Sequence, residues 1–89
     1  MVWNITFSRK AAKQAKALAE REKGLLALLV REMALGGPVR GDWPNYSKLG
    51  KDTHHCHLNP KWVACWIVAD GKLKLIEIYN VGSRKDAPY

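Results

Sequence analysis

The stretch WVACWIVADGKLKLIEIYNVG, residues 62–82, decides the fold. It divides at Asp70-Gly71 into two runs rich in Val, Ile, Trp and Tyr, and an Asp-Gly pair between such runs signals a β-hairpin closed by a type I′ turn. Just upstream, THHCHL (residues 53–58) alternates well enough to supply a neighbouring strand, which places the hairpin at the centre of a sheet. Trp62 and Trp66 share a face with Ala64 and Val68 and are assigned to the core, without a functional role.

Working outward, Trp3, Ile5 and Phe7 alternate with polar residues as a short first strand, and Ser8 is a good helix N-cap. From Arg9 to Leu35 the chain is dominated by Ala, Lys, Gln, Glu and Leu, all strong helix formers, interrupted at Gly24. Ala11, Ala12, Ala15, Leu18 and Ala19 make an apolar stripe opposite Lys10, Lys13, Lys16 and Glu20, so a helical hairpin bent at Gly24 is expected. Gly36-Gly37-Pro38 ends the helices. The following loop carries Trp43 and Tyr46, read as plugs that hold it onto the sheet. Residues 46–58 then supply a second strand that starts late. The order is β-α-α-β-β-β, an α+β fold with an antiparallel sheet and the helical hairpin packed on one face.

Eighty-nine residues are expected to form one domain, residues 1–89, with a thin core. Apolar content of 47% argues against a disordered chain. The longest apolar run, residues 25–30, is far short of the roughly 20 residues that span a membrane, and no signal peptide is recognised, so the expected location is cytoplasmic. Cys56 and Cys65 both fall in expected strands and are read as free, buried thiols. The net charge of +7 is spread evenly, with eight basic and four acidic residues in 1–45 and seven and four in 46–89. Such a balance suits a polyanionic partner, nucleic acid first, or simply a soluble surface.

Strand alternation puts His55 and His57 on one face and His54, Cys56 and Leu58 on the other. Two imidazoles at that spacing suit a shared metal, a phosphate, or no role at all. The metal reading lacks its remaining ligands, because Cys56 points away and no Cys-x-x-Cys or His-x-x-Glu-His pattern is present, so no metal or other cofactor is expected. For cleavage of a phosphodiester, imidazole is suited by an ordinary pKa of about 6.5. His55 and His57, flanked by Lys51 and Lys61, and Arg84, Lys85 and Tyr89 in the tail are the available groups.

Several motifs carry a resemblance over nearly the whole chain: W-x-x-Y-x-K-L (Trp43, Tyr46, Lys48, Leu49), HCHL, V-A-x-W (Val63, Ala64, Trp66), and the closing YNVG followed by APY. Together with the element order, they resemble the RelE/ParE superfamily of bacterial toxins, specifically a RelE-like translational repressor of a toxin-antitoxin pair. The resemblance implies a ribosome-dependent endoribonuclease, an mRNA interferase. It would cut mRNA in the ribosomal A site by metal-independent 2′-hydroxyl attack, inhibit translation, and be silenced by an antitoxin. Carried across, it makes His55, His57, Arg84 and Tyr89 the catalytic set, with Arg84 holding the scissile phosphate, a histidine transferring protons and Tyr89 positioning or activating the 2′-hydroxyl. Lys51, Lys61 and Lys85, with Lys13 and Lys16 on the first helix, become RNA contacts. The family's third-strand arginine falls on Val63. The superfamily leaves two alternatives open, a ParE-like gyrase inhibitor and a non-toxic relative that binds only its antitoxin and nucleic acid.

Overall fold

A computed structural model describes residues 2–89. The elements are β1 (Asn4–Phe7), α1 (Arg9–Ala17), α2 (Glu20–Gly36), β2 (Ser47–Lys48), β3 (Thr53–Asn59), β4 (Trp62–Asp70) and β5 (Leu75–Ser83), closed by a 3₁₀ turn, Arg84–Asp86. One five-stranded sheet runs in the order β1-β5-β4-β3-β2, so β4 is its middle strand. The last three long strands are antiparallel, as expected. β1 instead lies parallel to β5, with Ile5 opposite Ile76 and Phe7 opposite Ile78. The two helices carry the chain across the sheet to β2 at the opposite edge, and the three strands that follow return it beside β1.

The helices begin where the sequence indicates, because the Ser8 hydroxyl accepts from the Ala11 amide at 3.1 Å. They do not bend at Gly24. The break falls at Leu18 and Ala19, both extended (ψ 149° and 160°), and Gly24 continues inside α2. Burial explains the site of the break, since Leu18 is 5% exposed while Gly24 faces solvent. Turning the chain at Leu18 lets that side chain join Leu26, Leu29 and Met33 in one core. A glycine within a helix only lowers its stability. α2 stops at Gly37, whose φ of 92° favours glycine and whose N–H donates to the Met33 carbonyl at 2.8 Å. A Cβ there would also stand 3.1 Å from the Trp3 indole nitrogen.

The β4–β5 connection also differs from the expected two-residue turn. Asp70 still pairs with Leu75, and residues 71–74 form the loop. The Asp70 carboxylate accepts from the amides of Lys72 at 2.9 Å and Leu73 at 3.0 Å, and Lys74 takes the left-handed backbone (φ 53°). Capture of two amides by the aspartate makes the longer turn self-contained. Further along the pair, Cys65 faces Asn80 while Trp66 faces Ile78, so Tyr79 is an extra residue that bulges β5.

The core lies between the helices and one face of the sheet, where Trp66, Ile76, Ile78, Leu29 and Met33 are fully buried. The loop after α2 is pinned to it, as expected, by both aromatics. Trp43 donates to Glu32 Oε1 at 2.8 Å, and Tyr46 packs against Trp66 with ring centroids 6.2 Å apart. No helix among the described residues is long and apolar enough to cross a membrane.

The placement of Gly24 gives a direct test. It is exposed in mid-helix with nothing within 4 Å of an added Cβ, so Gly24→Ala should stabilise the protein by about 0.5–1 kcal/mol in urea unfolding. A bend that needed glycine there would make the same substitution destabilising.

Candidate active site

β3 carries the central residues because its two faces meet different surroundings. Cys56 and Leu58 enter the helical core, while His55 and His57 occupy the face without helices. The two imidazole rings lie 6.0 Å apart and are tilted by 58°. Both are nearly enclosed, at 7% and 9% exposure.

What encloses them comes from both flanks of the strand. On one side, the backbone N–H of His57 donates to the Pro44 carbonyl at 2.8 Å, and Ser47 pairs with His55 through the short β2 ladder. Asn45 then meets His57 Nδ1 through its Nδ2 at 3.4 Å, and Ser47 Oγ meets His55 Nδ1 at 3.1 Å. On the other side, the chain leaving β5 turns back. The Arg84 amide donates to the Lys61 carbonyl at 2.8 Å and the Lys85 amide to Ser83 Oγ at 3.2 Å. This turn brings the Tyr89 ring to 4.3 Å from that of His55.

Arg84 completes the group. With Pro44, Asn45, His57, Asn59 and Pro60 it lines a cleft of about 270 Å³. It also borders, with Lys61 and Lys85, a wider depression of about 740 Å³. Structure therefore brings His55, His57, Arg84 and Tyr89 to one end of one face, with Lys61 and Lys85 beside them. Lys51 stands exposed in the turn between β2 and β3, and Lys13 and Lys16 are exposed on α1. No hydrogen bond, ion pair or shared cleft found among the described residues joins those three to the histidines. Val63, opposite His57 and Gly82, is fully buried and forms part of the floor.

Burial shifts two of these groups, His57 and Tyr89. His57 is held below the ordinary imidazole value, first by burial and then by His55 and Arg84. Tyr89 is pushed above the ordinary phenol value, chiefly by burial, with Arg84 opposing. At neutral pH the site thus presents a neutral imidazole and an intact phenol beside a guanidinium. Beneath them, burial raises the Cys65 thiol to about 11, and on the opposite face Cys56 to about 12. Both cysteines are free. No group of three or more His, Cys, Asp or Glu side chains among the described residues is arranged to hold a metal ion.

Sequence reasoning passed over Asn45 and Ser47. The available signal was their spacing: two polar residues two apart, a short turn away from His-x-His, match the period of an antiparallel partner.

No family model and no curated protein matches the sequence. Solved structures do. A chain of the Escherichia coli DinJ-YafQ toxin-antitoxin complex superposes with a TM-score of 0.76 at 18% identity, covering 100% of each chain. The archaeal RelE-RelB complex from Pyrococcus horikoshii gives 0.76 at 14% identity, over 98% of this chain and 100% of that one. The chain has the RelE-like toxin fold. The YoeB dimer from Staphylococcus aureus matches as well, with a TM-score of 0.74 at 19% identity over 92% of this chain and 97% of the other. On this RelE-like frame, the cleft lies at the end of the sheet where the loop before β2 and the chain after β5 approach each other.

The histidine environments predict an acid-sensitive fold. His54, stacked on Trp66 at 5.9 Å, is held below the ordinary value mainly by burial, as is His57. The unfolded chain therefore binds protons more readily than the folded one. The stability from keeping these rings neutral is fully present well above 6.5 and is lost as pH falls through that value. Urea midpoints measured from about pH 8 to about pH 5.5 should fall at the acid end, and less steeply in His54→Gln. A flat wild-type profile would contradict these environments.

Proposed function

We propose that this protein is the toxin of a toxin-antitoxin pair and that it inhibits translation as a ribosome-dependent, metal-independent mRNA endoribonuclease of the cytoplasm. The observation that carries this reading is the convergence of His55, His57, Tyr89 and Arg84 at one end of the open face of the sheet, where His57 and Arg84 line a cleft. Sharing a fold with toxins solved in complex with their antitoxins supports the partner assignment.

The chemistry follows from what RNA provides. A base takes the proton of the 2′-hydroxyl, O2′ bonds to phosphorus, and the P–O5′ bond breaks. O5′ receives a proton, leaving a 2′,3′-cyclic phosphate and a free 5′-hydroxyl. One of the two histidines, His55 or His57, and Tyr89 handle the protons. Arg84, charged at any working pH, holds the scissile phosphate and the negative charge that builds on it. Lys61 and Lys85 continue the cationic surface along the flanking nucleotides. Lys51, Lys13 and Lys16, away from the cleft, are left for contacts with ribosomal RNA.

Expression without the antitoxin should arrest growth, with new mRNA 5′ ends mapping to stalled ribosomes. Arg84→Ala or Tyr89→Ala should lower cleavage by about 100 to 1000-fold and relieve the arrest while the folded circular dichroism spectrum persists. Full toxicity in both variants would remove these residues from the site. Arrest with intact mRNA and induced DNA damage would instead indicate a gyrase inhibitor.

A further inference from the structure

Three successive residues, the last two of the loop before β2 and the first of β2, each meet the Nδ1 atom of a different histidine. Asn45 meets His57 at 3.4 Å, Tyr46 meets His54 at 2.7 Å, and Ser47 meets His55 at 3.1 Å. Tyr46 and His54 belong to the aromatic stack on Trp66. Asn45 and Ser47 reach the histidines of the cleft, and they differ in what they are able to do.

The Nδ2 atom of Asn45 is a donor only. Oriented toward His57 Nδ1 as it is, it pairs with that nitrogen in its unprotonated form, which places the proton of the neutral ring on Nε2. The Ser47 hydroxyl both donates and accepts. It therefore allows His55 to carry its proton on Nδ1 and keep a lone pair on Nε2. Asn45 has the left-handed backbone (φ 53°), which asparagine tolerates better than most residues. That conformation and the Pro44–His57 backbone bond hold the Asn45 backbone beside the ring.

We propose that Asn45 and Ser47 are positioning residues that sort the two cleft histidines by tautomer, making His55 the base and His57 a fixed Nε2–H donor. The catalytic roles rest on the endoribonuclease reading; the ring assignment does not. In the reaction, His55 Nε2 takes the 2′-hydroxyl proton as O2′ bonds to phosphorus. His57 Nε2–H, with Arg84, donates to the phosphate oxygens that gain charge. The departing O5′ takes its proton from the Tyr89 phenol, and the His55 proton then returns to the phenolate beside it. Every proton is thereby accounted for, and His57 never changes its protonation.

The groups bearing on His57 are few. His55 lies on its own strand, Arg84 in the tail, Asn45 in the loop, and β4 presents the uncharged Val63. Asn45→Asp keeps the shape and the tolerance of left-handed backbone but replaces the donor with a carboxylate that only accepts. Asn45→Gly keeps the backbone and removes the side chain.

Long-range ¹⁵N–¹H correlation spectra of the labelled protein read the tautomers directly. The wild-type chain should show His57 with its proton on Nε2. Asn45→Asp should move that proton to Nδ1 and raise the titration midpoint of His57, and Asn45→Gly should give a mixture. In cleavage of mRNA on translating ribosomes, Asn45→Asp should lower kcat by about tenfold or more at unchanged KM. A wild-type His57 protonated on Nδ1, or a tautomer unmoved by Asn45→Asp, overturns the proposal whatever the protein does to RNA. The expected tautomers in a folded chain that cuts no RNA overturn the catalytic roles together with the endoribonuclease reading, and leave the ring assignment standing.

Discussion

Everything in this small fold depends on covering β4 from both sides. Val63, Ala64, Cys65 and Trp66 are consecutive and all fully buried, although only one face of the sheet has helices. Ala64 and Trp66 meet the helical core. Val63 and Cys65 point the other way, where a sheet with helices on one side would ordinarily meet water. His55, His57 and the returning tail with Tyr89 cover them. The polar residues of the candidate site therefore also roof part of the core.

That double duty accounts for the electrostatics. His57, which shields Val63, loses water itself, and that favours its neutral imidazole; the partly covered Tyr89 phenol is pushed further above its ordinary value. Arg84, at the rim, stays exposed and charged. A neutral imidazole, a phenol and an anion clamp then lie along one graded exposure, from the floor at Val63 to the rim at Arg84. The same geometry makes the tail part of the site, because without the turn at Arg84–Asp86 the phenol would not lie over His55.

Much of this was legible in the sequence. Alternation gave the faces of His55 and His57, Ser8 and Gly37 marked helix ends, and the division at Asp70 located the hairpin. Features set by tertiary packing were not legible. Leu18 and Ala19 sit among strong helix formers, and only the pull of Leu18 into the core breaks the helix there. The parallel pairing of β1 with β5 joins residues some seventy positions apart, and no local pattern encodes it. Asn45 and Ser47 looked like ordinary loop residues because their partners lie across a turn. The lysines of α1 bear the right charge for RNA, yet charge alone does not say which surface meets which nucleotide.

One side chain on α1 has a further consequence. β1 stops at Phe7, so beyond Tyr79 the edge of β5 has no strand beside it. Gln14 stands in for one. Its Oε1 accepts from the Val81 amide at 2.8 Å and its Nε2 donates to Asn80 Oδ1 at 3.3 Å. Accepting from a backbone amide is what an adjoining strand does, the bond to the Asn80 side chain steadies the group that does it, and glutamate, with no donor when ionised, keeps only the first. On evolutionary timescales, this half-exposed helix position should drift far more slowly than the lysines on either side of it. A mutational path that loses the amide opens a strand edge to other chains, the hazard that sheet proteins ordinarily avoid by covering or charging their borders.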